Sequence, residues 1–255
     1  MNRYSFGFVI VFLGLLLAQA FPLAETLPSQ FDDFPAHDSM ITSVTEFRLR
    51  MGDRVFHDTL VGPNGWLVYA TDRGMDKFQK IIRPLTDAEL ADYAISLLNF
   101  QTLVEKNGGH LLFVAAPYKN TVYPEFVPAE VRPIGETSHI DRILHSLRLY
   151  PSIQTLDLRP TMFAAKQDAQ IYYSTYTHWN DLGGLAAYQA IIEALQPTFP
   201  QLVPHTISDF KVTLQPPKLM DLALVIGSDS LSEERVQLQP LFKETSHADS
   251  LVLPS

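Results

Sequence analysis

The feature of this sequence that most restricts its fold is an amphipathic helix that leads through a glycine turn into a wholly apolar strand. Thr86 and Glu89 have the spacing of a capping box, and apolar residues recur at helical spacing from Leu90 to Val104. Asn107-Gly108-Gly109 ends the helix, and the residues from Leu111 to Ala116 are all apolar. Because a strand buried on both faces has such a composition, the segment predicts one half of an α/β layer.

The alternation of helices and short strands continues along the chain. Ser138 to Leu149 predicts a second helix, and Ile153 to Leu158 predicts the short strand that follows it. A third helix is predicted from Leu182 to Leu195, with Asn180 as its N-terminal cap. Together these elements predict a three-layer α/β fold, in which helices cover both faces of a mostly parallel central sheet.

Three other segments have simpler patterns. Pro63-Asn64-Gly65 lies between two β-prone runs and predicts a tight hairpin, because Asn and Gly accept positive φ. Phe47 to His57 predicts a short amphipathic helix. Residues 25–45 mix Pro, Ser, Asp and Thr and predict a solvated linker ahead of a domain that spans residues 46–255.

The amino terminus is typical of an exported protein. Arg3 precedes an uncharged apolar run from Phe6 to Ala20, and Ala18-Gln19-Ala20 has the small-x-small form of a signal-peptidase site. We therefore interpret residues 1–24 as a signal peptide or, since the run reaches the lower limit for a membrane span, as an uncleaved signal anchor. A buried core helix is the alternative. With the positive charge at the start, the rest of the chain is expected outside the cytoplasm.

Composition excludes several kinds of chemistry. The net charge of -9, without an offsetting basic stripe, argues against a nucleic-acid partner. The absence of cysteine excludes disulfides, thiolate catalysis and cysteine-based zinc sites. The eight histidines include no pair spaced as ligands within one short motif, so no metal site is predicted.

Two segments carry the residues of chemical interest. Lys119 and Tyr123 lie in the loop Pro117 to Glu125, directly after the first apolar strand, where the carboxyl ends of parallel strands usually build a site. His178 and Trp179 lie just before the third predicted helix, among aromatic residues. A single histidine is more often a packed core residue than a base, and a single lysine is often only solvated. We expect Lys119 and His178 to converge at one edge of the sheet.

These segments, together with the hairpin, resemble the SGNH-hydrolase-like domains of the AlgX/AlgJ type, the O-acetyltransferases of alginate and related exopolysaccharides. The family has Val-Gly-Lys-Asp-Gly-Trp-Leu-Phe-Tyr where this chain has its hairpin, and Pro-x-Lys-x-x-Val-Tyr-Pro-Glu where it has residues 117–125. The family motif Tyr-Tyr-x-Thr-Asp-Thr-His-Trp-Asn is similar to residues 172–180. The resemblance covers roughly residues 45–205.

The resemblance implies a three-layer SGNH-hydrolase-like fold and an acyl-enzyme mechanism, in which a serine attacks an acetyl donor and His178 acts as the base. It implies that Lys119, Tyr123 and Trp179 contact the substrate. The expected partners are a polysaccharide, an acetyl donor and a membrane-bound acetyl-transfer protein, with no cofactor. The expected location is the periplasm or the outer face of the inner membrane.

The chain departs from the family pattern at two catalytic positions. Tyr176 replaces the motif aspartate that orients the histidine, and its neutral hydroxyl could orient His178 without supplying charge; Asp181 and Asp157 are alternative carboxylates. The nucleophile is the second departure. Ser228 and Ser230 follow an apolar run from Leu222 in a turn of Gly-Asp-Ser character, and one of them should lie beside His178 if the chain is active.

A second alignment, which we favour, equates Met220 to Ala223 with the helix that precedes the nucleophile strand in the family. Glu233 to Pro240 is then a linker, and the serine is expected beyond Ser255 or on another polypeptide. Two functions follow from these alternatives. The first is an O-acetyltransferase or acetylesterase, with weak or absent activity in this form. The second is a catalytically degenerate domain that binds polysaccharide or serves as a scaffold.

Overall fold

The computed structural model describes residues 37–56, 58–70, 85–131 and 137–242. The chain divides into two compact units, Met1–Met51 and Gly52–Ser255. The predicted signal segment, residues 1–24, lies outside the described residues. Within the ranges described, none of the helices combines the length and apolar character needed to cross a bilayer.

In the first unit, the described residues form helix α1 (His37–Arg50). Its first turn carries Asp38 and its last turn carries Arg48 and Arg50, which complements the helix dipole. The helix includes residues 37–45, the second half of the predicted linker, and ends before most of the predicted helix over Phe47 to His57. The polar composition misled the prediction, because a hydroxyl such as that of Ser43 can be satisfied inside a helix by a carbonyl one turn back.

The second unit begins with a three-stranded antiparallel meander. Its strands are β1 (Val55–Phe56), β2 (Thr59–Val61) and β3 (Leu67–Tyr69). The turn between β2 and β3 places Asn64 at φ 57° and Gly65 at φ 76°, the left-handed region that these residue types tolerate. The predicted hairpin is therefore confirmed. Gly62 serves a different purpose, since a Cβ there would lie 1.9 Å from the carbonyl oxygen of Phe126.

Alternating helices and strands follow. They are α2 (Asp87–Lys106), β4 (Leu112–Ala115), the one-turn α3 (Lys119–Val122), α4 (His139–Leu147), β5 (Gln154–Asp157), α5 (Arg159–Asp168) and α6 (Asp181–Leu195). The capping box predicted at Thr86 is present, with Glu89 accepting from the Thr86 backbone while Thr86 accepts from the Glu89 backbone. All three predicted helices and both predicted strands are confirmed, with bounds shifted by a few residues.

Strands β4 and β5 pair in parallel, with Leu112 opposite Gln154 and Ala115 opposite Asp157. Alternate residues of β4 pack against different helices. Val114 joins the cluster built from α5 and α6, whereas Phe113 joins the cluster built from α2 and α4. Helices therefore cover both faces of the pair, which confirms three layers. In the described residues, parallel pairing is confined to β4 and β5, so the larger parallel sheet stays a prediction.

The second unit ends in a long antiparallel hairpin, formed by β6 (Phe210–Leu219) and β7 (Ser232–Pro240), with helix α7 (Asp221–Val225) between the strands. The linker predicted from Glu233 to Pro240 is wrong, because these residues are strand β7. The Leu222 segment, one of whose interpretations was a strand leading to Ser228, is helical at its start, as the second alignment requires. A register shift between Gln215 and Lys218 accommodates two prolines that concealed the strand from sequence reasoning.

Candidate active site

His178 lies on a loop whose two ends are held together. Tyr172 and Trp179 form an antiparallel bridge at the base of this loop. Asn180 then begins α6, since its Oδ1 accepts hydrogen bonds from the backbone N–H groups of Leu182 and Gly183. Its Nδ2 donates to the carbonyl of Gln170, which connects the helix cap to the residue that precedes the loop. The bridge and the helix cap therefore hold His178 directly ahead of α6.

The ammonium of Lys119 is buried beneath this loop. Its Nζ donates to the carbonyl oxygens of Tyr173 at 3.2 Å, Ser174 at 2.9 Å and Tyr176 at 2.6 Å. It also lies 5.6 Å from the centroid of the Trp66 ring, within cation–π range. All three N–H donors of the ammonium are therefore used, and Lys119 positions the loop. In this arrangement, Lys119 has no N–H donor left for the predicted contact with substrate.

Burial lowers the pKa of Lys119 to about 7, and the negative charges of Glu233 and Asp221 oppose that shift. The side chain is almost fully buried, so desolvation of the charged form is the dominant cause. A buried lysine with its ammonium on three carbonyls is a conspicuous charge in this domain.

A carboxylate on β7 also holds this loop. Glu233 accepts from the backbone N–H and the hydroxyl of Ser174, at 2.8 and 2.7 Å, through Oε2. Its Oε1 accepts the corresponding two bonds from Thr175. Sequence reasoning missed Glu233, because the contact joins residues far apart in the chain and the segment was interpreted as a linker.

The imidazole of His178 is exposed and has a relayed carboxylate behind it. Nδ1 lies 2.9 Å from Oγ1 of Thr177, and the same hydroxyl donates to Oδ2 of Asp221 at 2.9 Å. Neither of the alternative carboxylates, Asp157 and Asp181, is hydrogen-bonded to Thr177 or His178 in the described residues. Asp157 binds the guanidinium of Arg159, and Asp181 accepts from the backbone of β7. In the sequence, Asp221 stands out only as part of the predicted helix at residues 220–223, so its contact with Thr177 was missed.

Tyr176, which stands at the position of the motif aspartate, meets the imidazole face. Its ring centroid lies 4.9 Å from that of His178, with an angle of 49° between the planes. The hydrogen-bond partner of the imidazole is Thr177, not the Tyr176 hydroxyl. The expectation that this hydroxyl orients His178 is therefore wrong, and Tyr176 contributes packing instead.

The two predicted nucleophiles are not joined to the histidine. Ser228 is 1% exposed and follows α7, with its backbone N–H bonded to the carbonyl of Ala223. Its Oγ lies 3.3 Å from that of Ser230. Within the described part of the chain, neither serine forms a hydrogen bond with His178. The contact that activation of one of them by this base would require is not made in the present arrangement.

A cavity of about 450 Å³ opens beside the histidine. Its lining includes His178, Thr177, Trp179, Lys119 and Asn120. The expected convergence of Lys119 and His178 on one cleft is therefore confirmed, and Trp179 lines the same cavity. Across the described ranges, no group of three acidic or histidine side chains could hold a metal ion.

Tyr123 does not line this cavity. It is 6% exposed, packs 4.7 Å from the Trp66 ring centroid, and accepts a hydrogen bond from the backbone N–H of Ile171 through its hydroxyl. Burial raises the pKa of this phenol. Its predicted contact with substrate is replaced by a role in the core.

Asn120 is a cavity residue that sequence reasoning did not single out. It follows Lys119 in α3, is nine-tenths buried, and lines the same cavity as His178. In the parts of the chain that are described, its side-chain amide has no hydrogen-bond partner. An amide in this position can donate to an oxygen of a bound ligand.

The α/β fold, with a histidine directly ahead of a helix and beside a cleft that follows a parallel strand, agrees with an SGNH-hydrolase-like domain. A family model described as SGNH hydrolase-like domain, acetyltransferase AlgX, matches residues 59–250. The chain belongs to this family.

Individual relatives agree with that assignment. The probable alginate O-acetylase AlgJ of Pseudomonas syringae pv. tomato is 28% identical over 105 residues, which is 41% of this chain and 27% of that protein. AlgJ of Pseudomonas putida is 29% identical over 92 residues, 36% of this chain and 24% of that protein. The matched segments thus span about a quarter of the length of these curated relatives.

Solved structures show the shared fold. The O-acetyltransferase domain of Pseudomonas putida AlgJ aligns with a TM-score of 0.50 at 21% identity, covering 72% of this chain and 66% of that one. Pseudomonas aeruginosa AlgX aligns with a TM-score of 0.50 at 16% identity, covering 72% of this chain and 45% of that one. At these identities the likeness concerns the fold.

Proposed function

We propose that this chain acts in exopolysaccharide acetylation, as an O-acetyltransferase or acetylesterase in which His178 is the general base. Membership of the acetyltransferase family supports the reaction class. The observation that carries the assignment to this site is the exposed imidazole, backed by a relayed carboxylate and open to a cavity beside Trp179 and Asn120. An alginate-like polymer is the substrate class that the relatives' names support.

The reaction needs one proton acceptor and one site for a transient negative charge. His178 Nε2 takes the proton of an attacking hydroxyl, from the acceptor sugar in transfer or from water in hydrolysis. The new C–O bond forms as the acetyl carbonyl becomes a tetrahedral oxyanion, and Asn120 is the side-chain donor placed to stabilise it. The bond to the donor's oxygen then breaks, and the imidazolium returns its proton to that oxygen.

This route does not require Ser228 or Ser230, which are not bonded to the base. A serine supplied by another polypeptide at the same Nε2 would give the acyl-enzyme variant of the reaction, with an identical task for His178. We also propose that the domain works outside the cytoplasm, after export through residues 1–24. Its partners there are the polysaccharide, an acetyl donor and a membrane-bound acetyl-transfer protein.

A second function, polysaccharide binding without catalysis, is favoured by one specific observation. The motif aspartate is a tyrosine here, and among the described residues no hydrogen bond joins the serine hydroxyls that follow α7 to the base. A domain that keeps the cleft and its aromatic wall while lacking a nucleophile can still hold a polymer in place for another enzyme.

The test compares hydrolysis of a chromogenic acetate ester by the purified chain with that of two histidine variants. His178→Ala should abolish His-dependent turnover, which we expect to be weak. His145→Ala is the matched control, because His145 is exposed in the last turn of α4 and should keep wild-type turnover. Turnover that survives His178→Ala would reject the base. No turnover in any variant, together with retained binding of an alginate polymer, would favour the scaffold.

A further inference from the structure

The hydroxyl of Thr177 lies between a carboxylate and the candidate base. Its Oγ1 is 2.9 Å from Asp221 Oδ2 and 2.9 Å from His178 Nδ1. We propose that Asp221, acting through the Thr177 hydroxyl, replaces the missing motif aspartate and holds His178 as the tautomer with its proton on Nδ1. Thr177 and Asp221 are then positioning residues. The catalytic value of this relay rests on the proposed function, but the relay itself does not.

The direction of the relay follows from counting protons. An ionised carboxylate only accepts hydrogen bonds, so the single proton of the Thr177 hydroxyl points to Asp221. The hydroxyl oxygen then faces Nδ1 with a lone pair, and this contact is a hydrogen bond only if Nδ1 carries the proton. Nε2 is left with a free lone pair, which is the form that a general base requires. The opposite tautomer would break the bond to Asp221 or leave the Nδ1 contact without a proton.

Both ends of the relay are held by the backbone. The other oxygen of Asp221, Oδ1, accepts from the N–H of Leu222 at 2.7 Å, and Leu222 N–H also lies 3.2 Å from the carbonyl of Thr175. Leu222 is 2% exposed, so the start of α7 is anchored in the core. Thr177 directly follows residues 173–176, to which Lys119 and Glu233 are hydrogen-bonded. The carboxylate and the hydroxyl therefore keep their separation without help from a ligand.

A relayed carboxylate does one of the two tasks of a direct one. It selects the tautomer through a chain of oriented hydrogen bonds, which polarise one another in a site of low dielectric. It stabilises the imidazolium less, because a neutral hydroxyl separates the two charges. Tyr176, packed on the imidazole face, leaves this edge of the ring to Thr177.

The direct test is the tautomer of His178, read from ¹⁵N chemical shifts of its ring nitrogens in the full chain at alkaline pH, where imidazole is neutral. The wild type should show a protonated Nδ1 and an unprotonated Nε2. Thr177→Val removes the hydroxyl at nearly constant volume and should shift the population to the Nε2-protonated form that free imidazole side chains favour. Thr177→Ser keeps a hydroxyl and should restore the wild-type pattern.

The control is Thr102→Val, which removes an exposed hydroxyl from α2 and should leave the shifts of His178 unchanged. A wild-type chain with its proton mainly on Nε2 would overturn the proposal, whether or not the Thr177 variants fold. So would a folded Thr177→Val chain that keeps the wild-type tautomer. In the ester assay, Thr177→Val should lower kcat at least about tenfold, with little change in KM. If the wild type has no turnover, the proposed function fails while the shifts still decide the relay.

Discussion

Lys119 and Glu233 hold residues 173–176 through complementary groups, the ammonium through carbonyl oxygens and the carboxylate through N–H and hydroxyl groups. Neither side chain takes part in the proposed chemistry, yet each satisfies one kind of backbone polar group in this loop. Because backbone groups need partners once they leave water, this arrangement lets a short loop stay fixed beside a cavity. The position of His178 therefore depends on two residues that lie outside its own motif, residues 172–180.

Glu233→Gln should destabilise the domain by about 2 kcal/mol, because an amide cannot accept all four bonds that the carboxylate accepts and removes one of the two negative charges that act on Lys119. The free energy of unfolding in urea measures the loss. Glu234→Gln, on the neighbouring exposed position of β7, is the matched control and should cost little. Equal effects of the two substitutions would contradict the structural role of Glu233.

The stability of the domain should rise with pH between about pH 7 and pH 9.5 because of Lys119. Burial lowers its pKa in the folded chain to about 7, from an ordinary value of 10.5. Between those values the unfolded chain binds more protons than the folded chain, so raising the pH favours folding, by up to about 1.4 kcal/mol for each pH unit. Below about pH 7 both states carry the proton, and the penalty of burial is present in full.

Urea unfolding at several pH values measures this slope. Lys119→Met should lack the rise, and a wild-type stability that does not change over the same window would contradict the burial of a charged amine. The unfolding measurements should be made below about pH 10, because tyrosine phenols ionise near that pH. Burial raises the pKa values of Tyr172 and Tyr123, so their ionisation at higher pH opposes folding.

Local sequence signals predicted the first part of the fold well. The capping box at Thr86 and the turn at Asn64 depend on residues within a few positions of one another, so their chemistry is legible in the sequence. The hairpin of β6 and β7 was missed because its strands pair across a helix and contain prolines at a register shift. A local sequence pattern does not indicate which distant strand a segment pairs with.

The site shows the same division between near and distant contacts. His178 and Lys119 stand in recognisable motifs and were both predicted. Asp221 reaches Thr177 across 44 positions, and Glu233 reaches Ser174 across 59. A carboxylate that completes a site from another element has no local pattern of its own. The structure was therefore needed to find both.

Two adjacent glycines in α6 should respond to alanine with opposite signs. A Cβ at Gly183 would lie 2.4 Å from the carbonyl oxygen of Ile171 and 2.8 Å from Cβ of Trp179, closer than real contacts. Gly183→Ala should therefore cost about 2 kcal/mol and disturb the bridge beside His178. At Gly184 the nearest atom is 3.8 Å away, so Gly184→Ala should stabilise the helix by up to about 1 kcal/mol. Thermal unfolding of the two variants separates them, and a shift of equal sign would contradict the close packing at Gly183.

The last prediction concerns Ser228 and Ser230, which form no hydrogen bond with the base in the described part of the chain. Ser228 is almost fully buried, and the ring nitrogen of His178 that faces a side chain is bonded to Thr177. A serine becomes a nucleophile when a base accepts its proton within hydrogen-bond reach, and that contact does not form here. A sulfonyl fluoride should therefore leave no covalent adduct on Ser228 or Ser230, as judged by mass spectrometry of the intact and digested chain.

The same reasoning predicts the effect of removing the hydroxyl. Ser228→Ala should keep the wild-type rate of acetate-ester hydrolysis, whereas His178→Ala should lose it. The alanine variant should also lose about 1 kcal/mol of stability, because a buried hydroxyl gives up its hydrogen bond. An adduct on either serine, or a rate that falls with Ser228→Ala as far as with His178→Ala, would place the nucleophile beside the base during turnover. That result would require α7 and the residues after it to move toward His178, and it would restore the acyl-enzyme mechanism to this chain.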